Sequence, residues 1–131
     1  MSEDVLTIRQ MCEAFGVTPR TLRFYEAREL IFPERRGQHR HYDRRDRARL
    51  TLILQGKRFG FSLEQIRQLL ELYEPGGNTA QIAATLAAAR ARLADMEAQS
   101  AELRGAIAEL RQQIAEGDLR LAASSRSSCT G

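Results

Sequence analysis

Arginines are the residues of this sequence best suited to chemistry, and they are concentrated near its start. Residues 1–60 hold 13 Lys and Arg against 8 Asp and Glu, a balance of +5, whereas residues 61–131 hold 7 against 9, a balance of −2. Nine basic residues lie between Arg35 and Arg58, opposed only by Asp43 and Asp46. This charge fits a polyanionic partner, because neutralising phosphates releases counterions, but it fits a solvated surface equally well.

Residue sets for catalysis or metal binding are not evident. The two histidines, His39 and His41, have no cysteine or acidic neighbour at ligand spacing, and Cys12 and Cys129 have no partner at metal-ligand or redox spacing. No Ser/His/Asp or Cys/His pairing, paired carboxylates or phosphate-binding glycine loop stands out. We therefore expect neither an enzyme nor a cofactor.

The length of the chain, 131 residues, allows one compact domain plus an extended element. Its longest apolar run is only a few residues, so we expect no membrane partner. Met1 is followed by Ser-Glu-Asp rather than by a charged and then apolar leader, which predicts a cytoplasmic location.

Capping signals divide the first 75 residues into short helices. Thr7 and Gln10 form a capping box that begins the first helix, and Gly16 is typical of its end. Thr18 followed by Pro19 begins a second helix. Two such helices joined by a tight turn are the skeleton of a helix-turn-helix, although any small helical bundle contains similar pairs.

The segment from Leu30 to Tyr42 is interrupted by Pro33 and Gly37, and it predicts a small β-hairpin rather than a helix. Such a hairpin would project as a basic finger along a phosphate backbone. The finger would carry Arg35, Arg36, Arg40 and the two histidines.

Two more helices are predicted after the hairpin. Asp43 caps a third helix that ends at Gly60, and Ser62 with Gln65 forms a capping box for a fourth. The fourth helix is expected to bury its apolar face, which consists of Leu63, Ile66, Leu69, Leu70 and Tyr73. This second helix pair repeats the helix-turn-helix pattern in looser form.

A heptad pattern follows the break at Pro75-Gly76-Gly77. Asn78 restarts a helix that we expect to run to about Glu116, with Gly105 as its only interruption. Apolar positions recur in alternating steps of four and three, which is typical of a coiled coil. The predicted dimerisation seam is Ile82, Leu86, Ala89, Leu93, Met96, Ser100, Leu103, Ile107, Leu110 and Ile114.

So long a seam predicts pairing with a second copy, because a small domain offers too little surface to cover it; packing on the chain's own N-terminal domain is the alternative. Ser100 either helps to fix the register or is a neutral polar break. The predicted organisation is a winged helix-turn-helix DNA-binding domain over 1–75, a linker over 76–78, a coiled-coil dimerisation helix over 79–117 and a flexible tail over 118–131.

Three motifs carry a resemblance to a known family. The strings Thr18-Pro-Arg-Thr-Leu-Arg-Phe-Tyr-Glu26, Gln38-His-Arg-His-Tyr42 and Gly60-Phe-Ser-Leu-Glu-Gln-Ile66 resemble those of MerR family transcription regulators, in the same order and spacing. The resemblance covers about residues 6–74, and the coiled coil matches in architecture. It implies a mainly α fold: a winged helix-turn-helix of four helices and a small β-hairpin wing, followed by a long dimerisation helix.

The resemblance also implies contacts with DNA. It places Arg20 and Thr21 at base edges, and Arg23 and Tyr25 at phosphates, although Tyr25 is alternatively a core residue. The wing would hold the backbone through its Arg and Tyr, and the second helix-turn-helix would touch phosphate. The full predicted set is Thr18, Arg20, Thr21, Arg23, Phe24, Tyr25, Arg36, Arg40, Tyr42, Lys57, Arg58 and Ser62, whereas Arg28, Arg47 and Arg49 are expected to be solvated or paired within the protein.

The wing departs from the common G-Y-R-x-Y pattern of the family. Its glycine is one position earlier, at Gly37, and His39 replaces a packing aromatic residue. A difference in the hairpin turn is therefore expected.

The end of the sequence bears on the kind of signal that the protein senses. Cys129 stands alone in a polar tail, which disfavours thiol-based metal sensing, and no residues remain for a large ligand-binding domain. The short architecture is similar to regulators of branched-chain amino-acid and fatty-acid breakdown, which implies an acyl-CoA-like effector.

The family's mechanism implies that a dimer binds the spacer between two promoter elements and distorts it. RNA polymerase can then align with both elements, so the polymerase is a partner only indirectly, through the promoter DNA. Activation and repression remain open, as do the operator and the target genes. The competing interpretation is a coiled-coil adaptor that has lost DNA binding. Such an adaptor would be expected to lack the basic wing and Arg23, and both are present.

Overall fold

Helices dominate the computed structural model, which describes the backbone of residues 5–130 and the side chains of residues 5–126. A small sheet interrupts the helices near the start of the chain, and the last helix is the longest. This architecture confirms the predicted fold class. The elements in chain order are β1 (Leu6–Thr7), α1 (Ile8–Phe15), α2 (Pro19–Ala27), β2 (Glu34–Arg36), β3 (His39–Tyr42), α3 (Arg44–Arg58), α4 (Leu63–Leu72) and α5 (Thr79–Thr130).

Capping boxes set where three of the four short helices begin, namely α1, α3 and α4. The two predicted boxes are present: the Thr7 hydroxyl accepts from the Gln10 amide at 3.2 Å, and the Ser62 hydroxyl accepts from the Gln65 amide at 3.2 Å. A third box opens α3, where Asp46 rather than Glu or Gln reaches back to the cap residue. The cap of α3 was predicted, but the box was not, because the usual pattern has a longer side chain at this position.

The wing is a three-stranded antiparallel sheet in the order β1-β3-β2. In the hairpin, Arg35 pairs with Arg40 and Arg36 with His39, which leaves Gly37 and Gln38 as the turn. Gly37 has a φ of 67°, a conformation that favours glycine, so the early glycine of this wing forms a two-residue turn. The hairpin was predicted, whereas β1 was not, because two residues are too short to show alternation.

The core of the N-terminal part is formed by side chains from α1 to α4, from the wing and from the segment that joins α2 to the wing. Its members are Met11, Leu22, Tyr25, Leu30, Ile31, Tyr42, Leu50, Ile53, Ile66 and Leu70. One predicted core residue is wrong: Tyr73 follows the end of α4 and its side chain is 68% exposed. Helical spacing predicted that Tyr73 shares the buried face of α4. The helix ends at Leu72, however, and Tyr73 is its C-cap, so the helical spacing does not extend to this residue.

Asp46 is a buried charged residue that joins the wing entrance to α3. One carboxylate oxygen accepts from the backbone amide of Phe32 at 3.0 Å, and the other accepts from the amide of Asp43 at 3.2 Å. Burial raises the pKa of Asp46, and these two backbone hydrogen bonds act in the opposite direction.

The last helix, α5, follows Asn78, whose side-chain oxygen accepts from the backbone amide of Ala80 at 2.8 Å. It continues to Thr130, beyond the predicted end at residue 117, so the described residues of the predicted flexible tail are helical. The side chain of Cys129 lies outside the described residues. Among the described residues, no helix is long and apolar enough to cross a membrane.

The chain divides into two compact units, Met1–Ala87 and Ala88–Gly131. This division falls downstream of the predicted linker at 76–78. Large apolar side chains of the second unit are exposed along the predicted seam, from 40% for Ile107 to 62% for Leu103.

A close approach between α3 and α4 generates a stability prediction. A Cβ added at Gly56 would lie 2.8 Å from Cγ1 of Ile66, which is only 3% exposed. Gly56→Ala should therefore push the two helices apart and lower the free energy of unfolding by about 1–3 kcal/mol.

The matched control is Gly105→Ala in α5, where no other atom lies within 4 Å of the added Cβ. This change should raise the free energy of unfolding by roughly 1 kcal/mol, since alanine favours a helix over glycine. Urea unfolding at equal protein concentration compares the variants. Equal midpoints for Gly56→Ala and the wild type would contradict the close packing of α3 on α4.

Candidate nucleic-acid interface

The N-terminal turn of α2 presents exposed polar side chains. Thr18 caps the helix by accepting from the Thr21 amide at 3.1 Å, and the two threonine hydroxyls are 2.9 Å apart. Arg20 and Arg23 are exposed on the same helix. A capped helix start with extended cations suits a groove lined by phosphates and base-edge acceptors.

The two aromatic residues of α2 lie in different environments. Phe24 is 42% exposed, and the guanidinium of Arg28 lies 5.1 Å from its ring centre. Tyr25 is only 4% exposed and packs in the core, which was the alternative raised for it. This burial favours a core role for Tyr25 over the predicted phosphate contact.

The C-terminal end of α2 is held by α4. The Arg67 guanidinium donates to the backbone carbonyl of Arg28 at 2.7 Å. The next residue, Glu29, has a φ of 59°, which is uncommon for a residue other than glycine. Its amide donates to the carbonyl of Glu26 at 2.9 Å, so the chain leaves the helix through a defined turn.

The wing is attached to α2 through one carboxylate. Glu26 accepts from Nε of Arg40 at 2.7 Å and from Nη2 of Arg35 at 3.3 Å. Arg36, the third wing arginine, pairs with Glu34 of its own strand at 3.3 Å, and both side chains are more than half exposed. Arg40 is therefore not a freely extended finger residue, since its side chain is 21% exposed and bound to α2.

Tyr42 is a correction to the predicted DNA-binding set. Its side chain is fully buried, so it does not reach a backbone phosphate from this position. The hydroxyl has no hydrogen-bond partner among the described residues. The alternation of β3 explains the error, because Arg40 and Tyr42 share a face of the strand that is turned toward α2 and the core.

The turn between α3 and α4 presents a second exposed polar group. Lys57 and Arg58 end α3, and Ser62 caps α4. Phe59 and Phe61 pack edge to face between them, with ring centres 5.7 Å apart. The backbone amides at the start of α4 and the two cations form a surface suited to phosphate.

Acidic partners occupy several arginines elsewhere in the N-terminal unit. Glu74 accepts from Arg45 through both carboxylate oxygens, at 2.9 and 2.8 Å, and from Arg49 at 2.7 Å. The hydrogen bond from Arg45 is the main cause that lowers the pKa of Glu74. Arg49, predicted to be solvated or paired, is therefore paired and also donates to the carbonyl of Leu30 at 2.7 Å.

The cations of the N-terminal unit separate into two groups. Most have an acidic, backbone or aromatic partner within the protein. Among the described residues of this unit, the cations without such a partner are Arg20, Arg23, Lys57 and Arg58. All four belong to the set predicted from sequence to bind DNA.

Three residues that hold the elements of this surface together were not predicted from the sequence: Glu26, Arg67 and Glu74. Each acts on residues distant in sequence, so no local motif indicates its partner. The sequence offered one signal for Glu26. In the hairpin Arg35 lies opposite Arg40, and two like charges at such positions indicate that an acidic side chain lies nearby. Within the described residues, no group of three or more His, Cys, Asp or Glu side chains is arranged to hold a metal ion.

The buried hydroxyl of Tyr42 generates a prediction with two readouts. Tyr42→Phe removes an unpaired buried polar group and should raise the free energy of unfolding by about 1 kcal/mol. DNA affinity should stay unchanged because the side chain is inaccessible. Urea unfolding and fluorescence anisotropy with labelled DNA measure the two effects. A clear loss of affinity in the folded variant would restore Tyr42 to the contact set.

The same variant tests a pH dependence. Burial is the main cause that raises the pKa of Tyr42 from 10.0 to about 12. Because the folded protein binds this proton more tightly than the unfolded chain does, the wild type keeps its full stability below pH 10 and loses stability as the pH rises toward 12. The stability advantage of Tyr42→Phe over the wild type should therefore grow across this interval.

Comparison with known proteins extends these observations. The sequence profile described as MerR HTH family regulatory protein matches residues 6–72, and the one described as MerR, DNA binding matches residues 47–116. An HTH-type transcriptional regulator of Pseudomonas aeruginosa is 32% identical over 89 residues, which cover 66% of this chain and 67% of the relative. The regulator HmrR of Rhizobium leguminosarum is 40% identical over 70 residues, covering 53% and 54% of the two chains.

Solved structures share the architecture. A crystal structure of HiNmlR, described as a MerR family regulator lacking the sensor domain and bound to promoter DNA, matches with a TM-score of 0.60 at 26% identity, over 76% of each chain. The regulator SkgA of Caulobacter crescentus matches with a TM-score of 0.50 at 37% identity, over 76% of this chain and 69% of its own. The chain spans about half to two thirds of the length of the curated relatives described above.

The paired helices, the basic wing and the unpaired cations occupy the region that the first profile matches, which is more than half of the chain. The chain therefore belongs to the MerR family of helix-turn-helix transcription regulators.

Proposed function

We propose that two copies of this chain bind a pseudo-palindromic promoter site and regulate transcription from it. The observation that carries the proposal is the partition of cations: Arg20, Arg23, Lys57 and Arg58 have no partner within the described residues of the N-terminal unit. Cations that remain unpaired while their neighbours are neutralised are available to phosphates. The promoter DNA bound by HiNmlR supports the same partner for this chain.

The elements have separate roles in this proposal. The N-terminal turn of α2 enters the major groove, where Arg20 and Thr21 reach base edges. Arg23 and the cations at the end of α3 fix the position of the protein on the backbone, as does Arg36 at the wing. Ser62 and the first amides of α4 bind a further phosphate.

The seam of α5 supports a homodimer. Leu93, Leu103 and Leu110 are each more than half exposed, and all three occupy apolar positions of the heptad pattern. A second copy supplies an identical seam. The resulting dimer carries two N-terminal units, which match the two half-sites of an inverted repeat.

Distortion of the promoter spacer is the regulatory step that we propose, with RNA polymerase as a partner through the DNA rather than by direct contact. Deforming DNA costs free energy that depends on its sequence, so the spacer itself contributes to selectivity. An acyl-CoA-like effector and a cytoplasmic location remain predictions from the sequence. The competing coiled-coil adaptor would be expected to lack the basic wing and Arg23, and both are present.

Arg23→Ala tests the phosphate contacts. The wild type first selects its preferred duplex from a randomised pool, and binding to that duplex is then measured at several salt concentrations. Because two copies bind, the substitution removes one phosphate contact from each, so it should weaken binding about three- to tenfold per contact on specific and unrelated duplexes alike, and lower the salt slope by about two.

The control for this experiment is Arg126→Ala on α5, which removes the same charge outside the proposed interface. Its affinity and salt slope should match those of the wild type. An unchanged slope for Arg23→Ala would remove Arg23 from the contact set. Failure of the wild type to select any duplex, with its dimer intact, would favour the adaptor.

Leu93→Glu combined with Leu103→Glu tests the seam. Two carboxylates placed in a paired apolar seam lack partners, so the dimer should dissociate to a species near the chain mass of 14.8 kDa. Light scattering after size exclusion measures the mass, and operator affinity should fall with it.

The matched control is Leu119→Glu, the same change on the same helix at a 70% exposed position outside the heptad pattern. This variant should remain dimeric. A dimer that survives both seam substitutions would show that the assignment of the seam is wrong.

A further inference from the structure

Glu26 lies between the two elements that approach DNA. It belongs to α2, near its C-terminal end, whereas both of its partners belong to the wing. Its side chain is 18% exposed and that of Arg40 is 21% exposed, so the contact between them is partly shielded from solvent. Ion pairs in this environment are screened less by salt than fully exposed pairs.

The wing arginines create a need for this carboxylate. Arg35 and Arg40 are directly opposite each other in the hairpin, and like charges at such positions repel. Glu26 contacts both, at 3.3 and 2.7 Å, and balances one of the two charges. The wing therefore depends on α2 for its local charge balance.

The geometry of the stronger contact leaves Arg40 able to bind a second anion. Glu26 accepts from Nε of Arg40, and a guanidinium carries further N–H groups on its two terminal nitrogens. Arg40 can thus donate to Glu26 and to a phosphate together, with its orientation set by the first contact. A guanidinium held in place loses less conformational entropy when it binds phosphate than a free one.

We propose that Glu26 is a positioning residue for DNA binding, which holds the wing against α2 and orients Arg40 toward the phosphate backbone. This inference rests on the proposed function. It assigns a favourable role in binding DNA to an acidic residue near the DNA surface. Simple electrostatics assigns Glu26 the opposite role, because a carboxylate close to phosphates repels them.

Glu26→Gln separates these two roles by the sign of the effect. If Glu26 positions Arg40, the substitution weakens binding to the selected duplex at least about threefold and lowers the salt slope by up to about two, as the oriented contact is lost in both copies. If Glu26 only contributes charge, the same substitution tightens binding and raises the slope. The second result would overturn the proposal.

Glu34→Gln is the matched control, because it removes an equal charge from the same wing. Glu34 is 65% exposed and pairs with Arg36 rather than with α2. Affinity for the selected duplex should be unchanged or tighter in this variant. An equal loss of affinity in Glu34→Gln would indicate a general effect of wing charge and overturn the proposal.

A double-mutant cycle shows whether Glu26 acts through Arg40. Arg40→Ala alone should weaken binding, and adding Glu26→Gln to it should produce little further loss, since the residue to be positioned is absent. Full additivity of the two losses would contradict the proposed coupling. Circular dichroism and urea unfolding establish that each variant is folded.

Glu26→Asp keeps the proposal testable if Glu26→Gln does not fold. It retains the charge but shortens the side chain by one methylene, so the loss of affinity should be partial, whereas wild-type affinity and slope would overturn the proposal. A wild type that binds no duplex would instead remove the proposed function itself, and this inference with it.

Discussion

The N-terminal unit depends on the hydrogen bonds that the buried carboxylate of Asp46 accepts. This carboxylate completes the capping box of α3 by accepting from the amide of the cap residue Asp43, and it also accepts from the Phe32 amide at the entrance of the wing, so one side chain fixes the junction between two elements. A buried carboxylate is costly unless its oxygens are hydrogen-bonded, and here backbone donors bind both of them. Asp46 therefore links the segment that enters the wing to the first helix of the second helix pair.

Around Asp46, acidic residues divide the arginines into structural and available cations. Glu74 engages Arg45 and Arg49 along α3, and Glu26 engages the wing. Arginine suits such contacts because its fork donates several hydrogen bonds and stays charged. Among the described residues of the N-terminal unit, the cations left without partners lie in α2 and at the end of α3, which are the places where a winged helix-turn-helix approaches DNA.

Local signals allowed the sequence to predict much of this arrangement. Capping residues such as Thr18 and Ser62 act on amides three residues away, so they are visible in the sequence, and the heptad spacing is similarly regular. The failures involve tertiary contacts: Tyr42 was expected at DNA but is buried, and Tyr73 was expected in the core but is exposed. The partners of Glu26 and Arg67 are likewise set by packing between distant segments, which no periodicity encodes.

The anchoring of α2 at its C-terminal end has an evolutionary consequence. Arg67 holds the carbonyl of Arg28, and Glu26 holds the wing, whereas Arg20 and Arg23 extend from the helix without contributing to the core. In the proposed function, substitutions at Arg20 alter which DNA is preferred and those at Arg23 alter affinity for all DNA, and both leave the packing intact. Operator preference can therefore diverge between descendants of this chain faster than the fold, because separate residues encode the two properties.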